Sequence, residues 1–105
     1  MANPWRGDVA LGINGETHVM RLTLGALAEL EAELKTGSLM AMVERFESAT
    51  FTSQDVLALL RAGLRGGKCD VTDEQLFHAE IAGGPIAAAR AAAELLTRAF
   101  TVAEA

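Results

Sequence analysis

The residues best suited to chemistry lie in the run AGLRGGKC, from Ala62 to Cys69. A phosphate-binding P-loop requires Gly at the position of Ala62, Ser or Thr at the position of Cys69, and a strand before the loop. This run instead follows a predicted helix, and it lacks the magnesium-binding hydroxyl. Gly66-Gly67 is therefore interpreted as the end of that helix and not as a nucleotide site.

Cys69 is the only cysteine, so it cannot form an internal disulfide, and it fits a reducing cytosol. The neighbouring Lys68 could lower the pKa of the thiol. Nucleophilic catalysis also needs a base with an orienting group, and nothing in the sequence brings His18 or His78 to Cys69. We therefore predict a solvent-facing loop thiol.

Metal binding by Cys69, Asp70, Asp73 and His78 is disfavoured, because structural zinc sites show paired ligands at short spacing. The sequence thus predicts no metal and no cofactor.

The acidic run Glu29, Glu31, Glu33 could supply paired carboxylates for acid–base catalysis. Glu31 and Lys35 are spaced for an i,i+4 ion pair, which is typical of a solvated helix face. The sequence around these residues does not indicate an apolar pocket that would raise the pKa of a carboxylate. We find no catalytic residues and predict that the chain is not an enzyme.

Two short strands, about 8–13 and 16–22, surround Asn14-Gly15, a pair that favours a type I′ hairpin turn. A two-residue loop fixes the register, so Asp8 and Arg21 should share one face. The opposite face, which includes Leu11 and Met20, should pack on helices, because an isolated hairpin is marginally stable.

Five helices are predicted after the hairpin, at about 24–35, 38–48, 53–65, 73–82 and 85–100. Thr23 is a plausible N-cap of the first helix. Capping boxes at Thr52 and Thr72 mark the third and fourth starts, and the fourth helix should carry Phe77 and Ile81 inward. Gly84-Pro85 opens the fifth helix. The chain is thus predicted to be α+β, mainly α, with a single domain over residues 1–105.

Charge and hydropathy exclude several classes of protein. The chain has 14 acidic and nine basic side chains, a net charge of −5, and the basic residues are scattered along it. Nucleic-acid binding is therefore disfavoured. The opening residues resemble no signal peptide, and no long apolar run is present, so we expect a cytoplasmic protein without membrane contact.

Partner binding is suggested by apolar residues that have no evident place in the core. Aromatic residues make up only 5% of the chain, so its core should be aliphatic and thin. Trp5 stands near the chain start, Met40 lies off the apolar stripe of its helix, and the alanine-rich last helix, represented by Ala92, has small residues on every face. Large apolar groups without a core role mark interaction sites. We predict that these three residues lie on a partner-binding surface for another copy or for an amphipathic helix.

Several segments resemble a known family. Asn3-Pro4 with Arg6-Gly7, the run MRLTLGALAELE at 20–31, Glu44-Arg45-Phe46, and residues 62–66 are similar to the small tail protein of gene transfer agents. Those phage-like particles are made by alphaproteobacteria. The resemblance covers nearly the whole chain and is strongest from Arg6 to Glu31. The family is described either as a tail tube protein or as a tail assembly chaperone, and it brings no catalytic residues.

The resemblance implies a role in phage-type tail morphogenesis, with two alternatives. In the first, the protein is an assembly chaperone that binds the long, apolar, helical tape-measure protein. In the second, it is a structural component of the tail tube. A tube needs a sheet large enough to close a barrel, and two strands are too few, which favours the chaperone. The expected partners are the tape-measure protein, other tail proteins, or another copy of the chain.

Overall fold

A computed structural model describes residues 7–34 and 38–100 of the chain. The elements are two strands, β1 (Val9–Ile13) and β2 (Glu16–Met20), followed by five helices: α1 (Leu24–Glu33), α2 (Leu39–Glu47), α3 (Ser53–Gly66), α4 (Asp73–Phe77) and α5 (Gly84–Phe100). The predicted class, a hairpin followed by five helices, is confirmed. No helix within the described ranges is long and apolar enough to cross a bilayer.

The hairpin has the predicted register. Val9 pairs with Met20 and Ile13 with Glu16 in an antiparallel ladder. Asn14 and Gly15 both have positive φ, 52° and 84°, as a type I′ turn requires. Both strands are slightly shorter than predicted.

The two faces of the hairpin also divide as expected. Arg21 Nε donates a hydrogen bond to Asp8 Oδ1 at 2.7 Å, so these side chains share one face. On the other face Val9, Leu11 and Met20 are buried against the helices. The hairpin therefore stays folded by packing on the helices, as its small size demands.

The predicted helix starts are confirmed. Thr23 Oγ1 accepts from Ala26 N, and Thr52 and Thr72 each form a complete capping box with the residue three positions later. A capping box satisfies two backbone N–H groups that have no partner within the helix.

The fourth helix was predicted to reach residue 82, but it ends at Phe77. The chain then turns and runs beside the hairpin, where Ile81 bridges to Ile13. The prediction that Phe77 points inward was wrong, because 66% of its surface is exposed. The first helix was predicted to reach about residue 35 and ends at Glu33. The glycine stop signal that follows it, at Thr36-Gly37, lies outside the described residues.

Helix α3 lies at the centre and contacts α1, α5 and β2. Its Leu59, Leu60 and Leu64 are buried, and α5 faces it with Ala92 and Leu95. A Cβ atom at Gly63 would lie only 2.7 Å from Leu95 Cδ1, so the glycine permits a close approach of the two helices. Small residues at Gly63 and Ala92 therefore bring α3 and α5 close together.

Candidate interaction surface

The sequence features that resembled reactive sites have structural explanations. The AGLRGGKC run begins inside helix α3, which extends to Gly66, so the helix ends at Gly66-Gly67 as predicted. Cys69 is half-buried, and its thiol donates to the carbonyl oxygen of Val19 at 3.2 Å. Burial raises the pKa of the Cys69 thiol. The neighbouring Lys68 was considered as a cause of a lower pKa, so the shift is in the opposite direction. The loop thiol is consequently neither fully solvent-facing nor activated.

The acidic residues of α1 connect two helices. Glu33 Oε1 accepts from Arg61 Nη1 at 2.6 Å, and Glu29 Oε1 accepts from Arg65 Nη1 at 3.1 Å. Glu31 is exposed, and its predicted partner Lys35 lies outside the described residues. Within the described ranges, no three His, Cys, Asp or Glu residues converge in a way that could hold a metal ion.

The outer edge of β1 is bonded to the segment after α4. Asn14 N donates to the carbonyl of Glu80 at 2.8 Å, and Ala82 N donates to the carbonyl of Gly12 at 3.0 Å. The Asn14 side chain also accepts from Glu80 N at 2.9 Å. The chain itself thus occupies much of an edge at which another strand could otherwise pair.

The outer edge of β2 is covered by the end of α3. Arg21 N donates to the carbonyl of Gly63 at 2.9 Å. A Cβ atom at Gly66 would overlap the carbonyl oxygen of Arg21, and one at Gly67 would overlap that of Val19. Only glycine allows the helix backbone to lie this close to the strand. Gly66-Gly67 therefore has a packing role beyond ending the helix.

Two apolar grooves lie end to end along α5, and we call them together the α5 trough. The first groove has a volume of about 500 Å³, and its lining includes Met40, Val43, Phe46, Leu96 and Phe100. The second has a volume of about 420 Å³, and its lining includes Phe51, Val56, Leu57, Phe77, Ile81 and Ile86. Phe46 and Phe51 stack at 4.4 Å between ring centroids and join the two grooves.

Exposed apolar side chains are concentrated at the α5 trough. Among the described residues, five large hydrophobic side chains are exposed, and four of them line the trough: Met40 (60%), Phe77 (66%), Ile86 (72%) and Phe100 (46%). The fifth, Leu24, is on α1. Contiguous exposed apolar surface of this kind is typical of an interaction site.

The three residues predicted for partner binding have different outcomes. Trp5 lies outside the described residues. Met40 is exposed at the rim of the trough. Ala92 lies on the side of α5 that packs into the core and is fully buried. A partner therefore cannot reach it in this structure.

Sequence reasoning missed Phe77, Ile86 and Phe100 as surface residues. Ile86 and Phe100 lie near the two ends of α5, and both side chains are exposed. The size of these side chains is a sequence signal that could have indicated their exposure. Bulky residues at both ends of an alanine-rich helix are unexpected if the alanines form the buried side.

Comparison with known proteins gives one family. The model of the family described as "Phage tail tube protein, GTA-gp10" matches residues 6–102. No curated protein and no solved structure is significantly similar to the chain.

Proposed function

The chain belongs to the GTA-gp10 family of phage tail tube proteins, and we propose that it acts in tail assembly as a chaperone for the tape-measure protein. The family assigns the chain to the phage tail, with other tail proteins as its partners. The more specific role, and the proposal that the chain is not an enzyme, are inferences from its geometry.

The observation that carries the chaperone proposal is the state of the hairpin edges. A tube wall built from sheets needs strands whose free edges pair from subunit to subunit. Here Gly12 of β1 and Asn14 of the turn are bonded to Ala82 and Glu80. Arg21, directly after β2, donates to the carbonyl of Gly63 in the last turn of α3. Within residues 7–34 and 38–100, a subunit in this conformation contributes only two strands, with parts of both outer edges already occupied.

A chaperone role also suits the exposed apolar surface. The family resemblance implies a tape-measure protein that is long, helical and apolar, and such a protein needs cover before it is enclosed by the tube. Recognition of helices through apolar grooves is a common mode of protein binding. The net charge of −5 keeps a protein with exposed apolar surface soluble.

The second candidate is a structural subunit of the tail tube. The family description names a tail tube protein, so it supports this candidate more directly than it supports the chaperone. A structural role would require the segment at 80–82 or the end of α3 to leave the hairpin during assembly. Rearrangements of this size occur in a minority of complexes.

Mass spectrometry of purified particles distinguishes the two candidates. The amount of the chain should be measured in the particles and in the lysate from which they were purified. A retained tail component, such as the tape-measure protein, serves as the internal control. A chaperone is abundant in the lysate and depleted from particles, whereas a tube subunit is present in many copies per particle and would overturn the chaperone proposal.

A further inference from the structure

The segment between α4 and α5, residues 78–83, has contacts on two sides, and we call it the strap. On one side its backbone pairs with the turn end of β1, where Asn14 N donates to the carbonyl oxygen of Glu80 and Ala82 N donates to that of Gly12. On the other side, strap residues 79 and 81 line the second groove of the α5 trough. The strap therefore covers a strand edge and also forms a wall of an apolar groove.

Asn14 holds the strap at one residue through two hydrogen bonds. Its backbone N–H donates to the carbonyl oxygen of Glu80 at 2.8 Å, and its side-chain oxygen accepts from Glu80 N at 2.9 Å. The hairpin turn itself requires only a residue that tolerates positive φ, as glycine does. The Asn14 side chain thus has a role that turn formation does not explain, because it supplies the acceptor that a neighbouring strand would otherwise provide.

The strap is lightly held apart from these contacts. The structure describes all of residues 78–83, and none of them is buried, although Ala79 and Ile81 are half-buried. The strap ends at Gly83, which is followed by Gly84, and these glycines have φ of 86° and 75°. Glycine changes conformation at low cost, and segments with few buried contacts open locally without global unfolding. These features allow the strap to open about the glycine pair while α5 stays folded.

We propose that the strap is a hinged latch, closed by Asn14 on one side and by Ile81 on the other, which couples the second groove to the edge of β1. In the closed state the groove has its complete wall and the strand edge is blocked. In the open state the groove loses this wall, and the backbone of Gly12 and Asn14 is free to bond another strand. The two binding surfaces are consequently mutually exclusive.

The latch links the binding of a helix to the state of the hairpin. A partner helix that contacts Ala79 and Ile81 stabilises the closed state, because a ligand shifts an equilibrium towards the state that it binds more tightly. By linkage, a strand that pairs with β1 weakens helix binding in the second groove by the same factor. The inference rests on the proposed function only for the identity of this helix, the tape-measure protein. A bound tape-measure helix would keep the hairpin edge blocked until it is released.

Hydrogen exchange of the complete chain, followed at single residues by NMR, tests the latch without a partner. The amides of Glu80 and Ala82 should exchange through a local opening, faster than those of the buried Leu59 and Leu60, which report global unfolding. Asn14→Gly should speed exchange at both strap amides about two- to tenfold relative to the α3 amides, because one hydrogen bond is lost. Asn14→Asp is the matched control, since it keeps an acceptor oxygen and suits the turn.

Ile81→Ala tests the coupling to the groove. This variant should speed exchange at the amides of Glu80 and Ala82 about tenfold, because the Ile81 side chain packs against the core. Ile86→Ala is the matched control and should leave these amides unchanged, since Ile86 lines the same groove but belongs to α5 and is 72% exposed. The proposal is overturned if the two strap amides exchange only with global unfolding, or if either Asn14→Gly or Ile81→Ala leaves their exchange unchanged.

A complex with co-expressed tape-measure protein extends the test to assembly. The amides of Glu80 and Ala82 should exchange at least about tenfold more slowly in the complex than in the free chain. A complex in which their exchange is unchanged would overturn the coupling. If the two proteins form no complex, the chaperone role fails, whereas the latch stands or falls on the exchange of the free chain.

Discussion

Asp55 joins α2 to the start of α3, and replacing it tests how the helices are held together. Its Oδ2 accepts from Thr52 N and from Arg45 Nε, each at 2.9 Å, and its Oδ1 accepts from Arg45 Nη2 at 2.9 Å. Only 11% of the Asp55 side chain is exposed. One carboxylate therefore closes the capping box and also binds the guanidinium of α2 through both oxygens.

Asp55→Asn retains one carbonyl oxygen for the cap but removes the charge and the second acceptor. Net hydrogen bonds to charged groups contribute about 1.5–3 kcal/mol, so we expect a loss of about 2–3 kcal/mol in the free energy of unfolding. The midpoint of thermal unfolding should fall by roughly 10–20 °C for a domain of this size. Urea denaturation followed by far-UV circular dichroism measures the loss. Asp70→Asn is the matched control, because Asp70 is exposed.

A double-mutant cycle with Arg45→Gln isolates the ion pair. The coupling energy should be on the order of 1–3 kcal/mol, since the two side chains share two hydrogen bonds. Asp55 does not hold the two helices together if the unfolding free energy of Asp55→Asn stays within about 0.5 kcal/mol of that of the parent, or if the effects of the two substitutions are additive.

The same contact predicts a dependence on pH. The hydrogen bonds from Arg45 hold the pKa of Asp55 below its ordinary value of 3.8. The unfolded chain therefore takes up the proton first as the pH falls. The stabilisation is complete above pH 3.8 and is lost as the pH falls through the lower pKa of the folded state. Asp55→Asn should lack this component of acid destabilisation.

Three further predictions concern packing and reactivity. Gly66→Ala should cost at least about 2 kcal/mol, because its methyl group would overlap the Arg21 carbonyl. Gly25→Ala, at the exposed Gly25 of α1, should instead stabilise by about 0.5–1 kcal/mol, and equal unfolding midpoints of the two variants would refute this. Ala92→Glu should unfold the chain, because it buries a charge in the core, and a cooperative transition near that of the parent would contradict the burial. Cys69 should react with iodoacetamide near pH 7 more slowly in the native chain than in urea, because burial shields the thiol and raises its pKa. Equal rates would show that neither effect is present.

Local features were the easiest to predict from the sequence. The turn at Asn14-Gly15 and the capping boxes at Thr52 and Thr72 depend on residues only a few positions apart. Their hydrogen bonds form within a single turn, so side-chain chemistry alone determines them. The assignment of residues to the two faces of the hairpin follows in the same way from its two-residue loop.

Features that depend on distant contacts were not predictable in the same way. Helix α4 has a strong start but ends early, because Glu80 and Ala82 bond to the hairpin instead of continuing the helix. The inward side of α5 was ambiguous, since alanine is apolar but small and gives little contrast between faces. Only the packed structure shows that Ala92 is buried while Ile86 is exposed.

The chaperone role is tested most directly by a pull-down of the tagged chain from a lysate that is assembling particles, with the bound proteins identified by mass spectrometry. A matched lysate that lacks the tape-measure protein serves as the control. A chaperone should enrich the tape-measure protein as the main heterologous protein, and the tagged chain should remain outside the sedimenting particles. Recovery of the tagged chain mainly in assembled tails, without free tape-measure protein bound to it, would contradict the chaperone role and assign the chain to the tube.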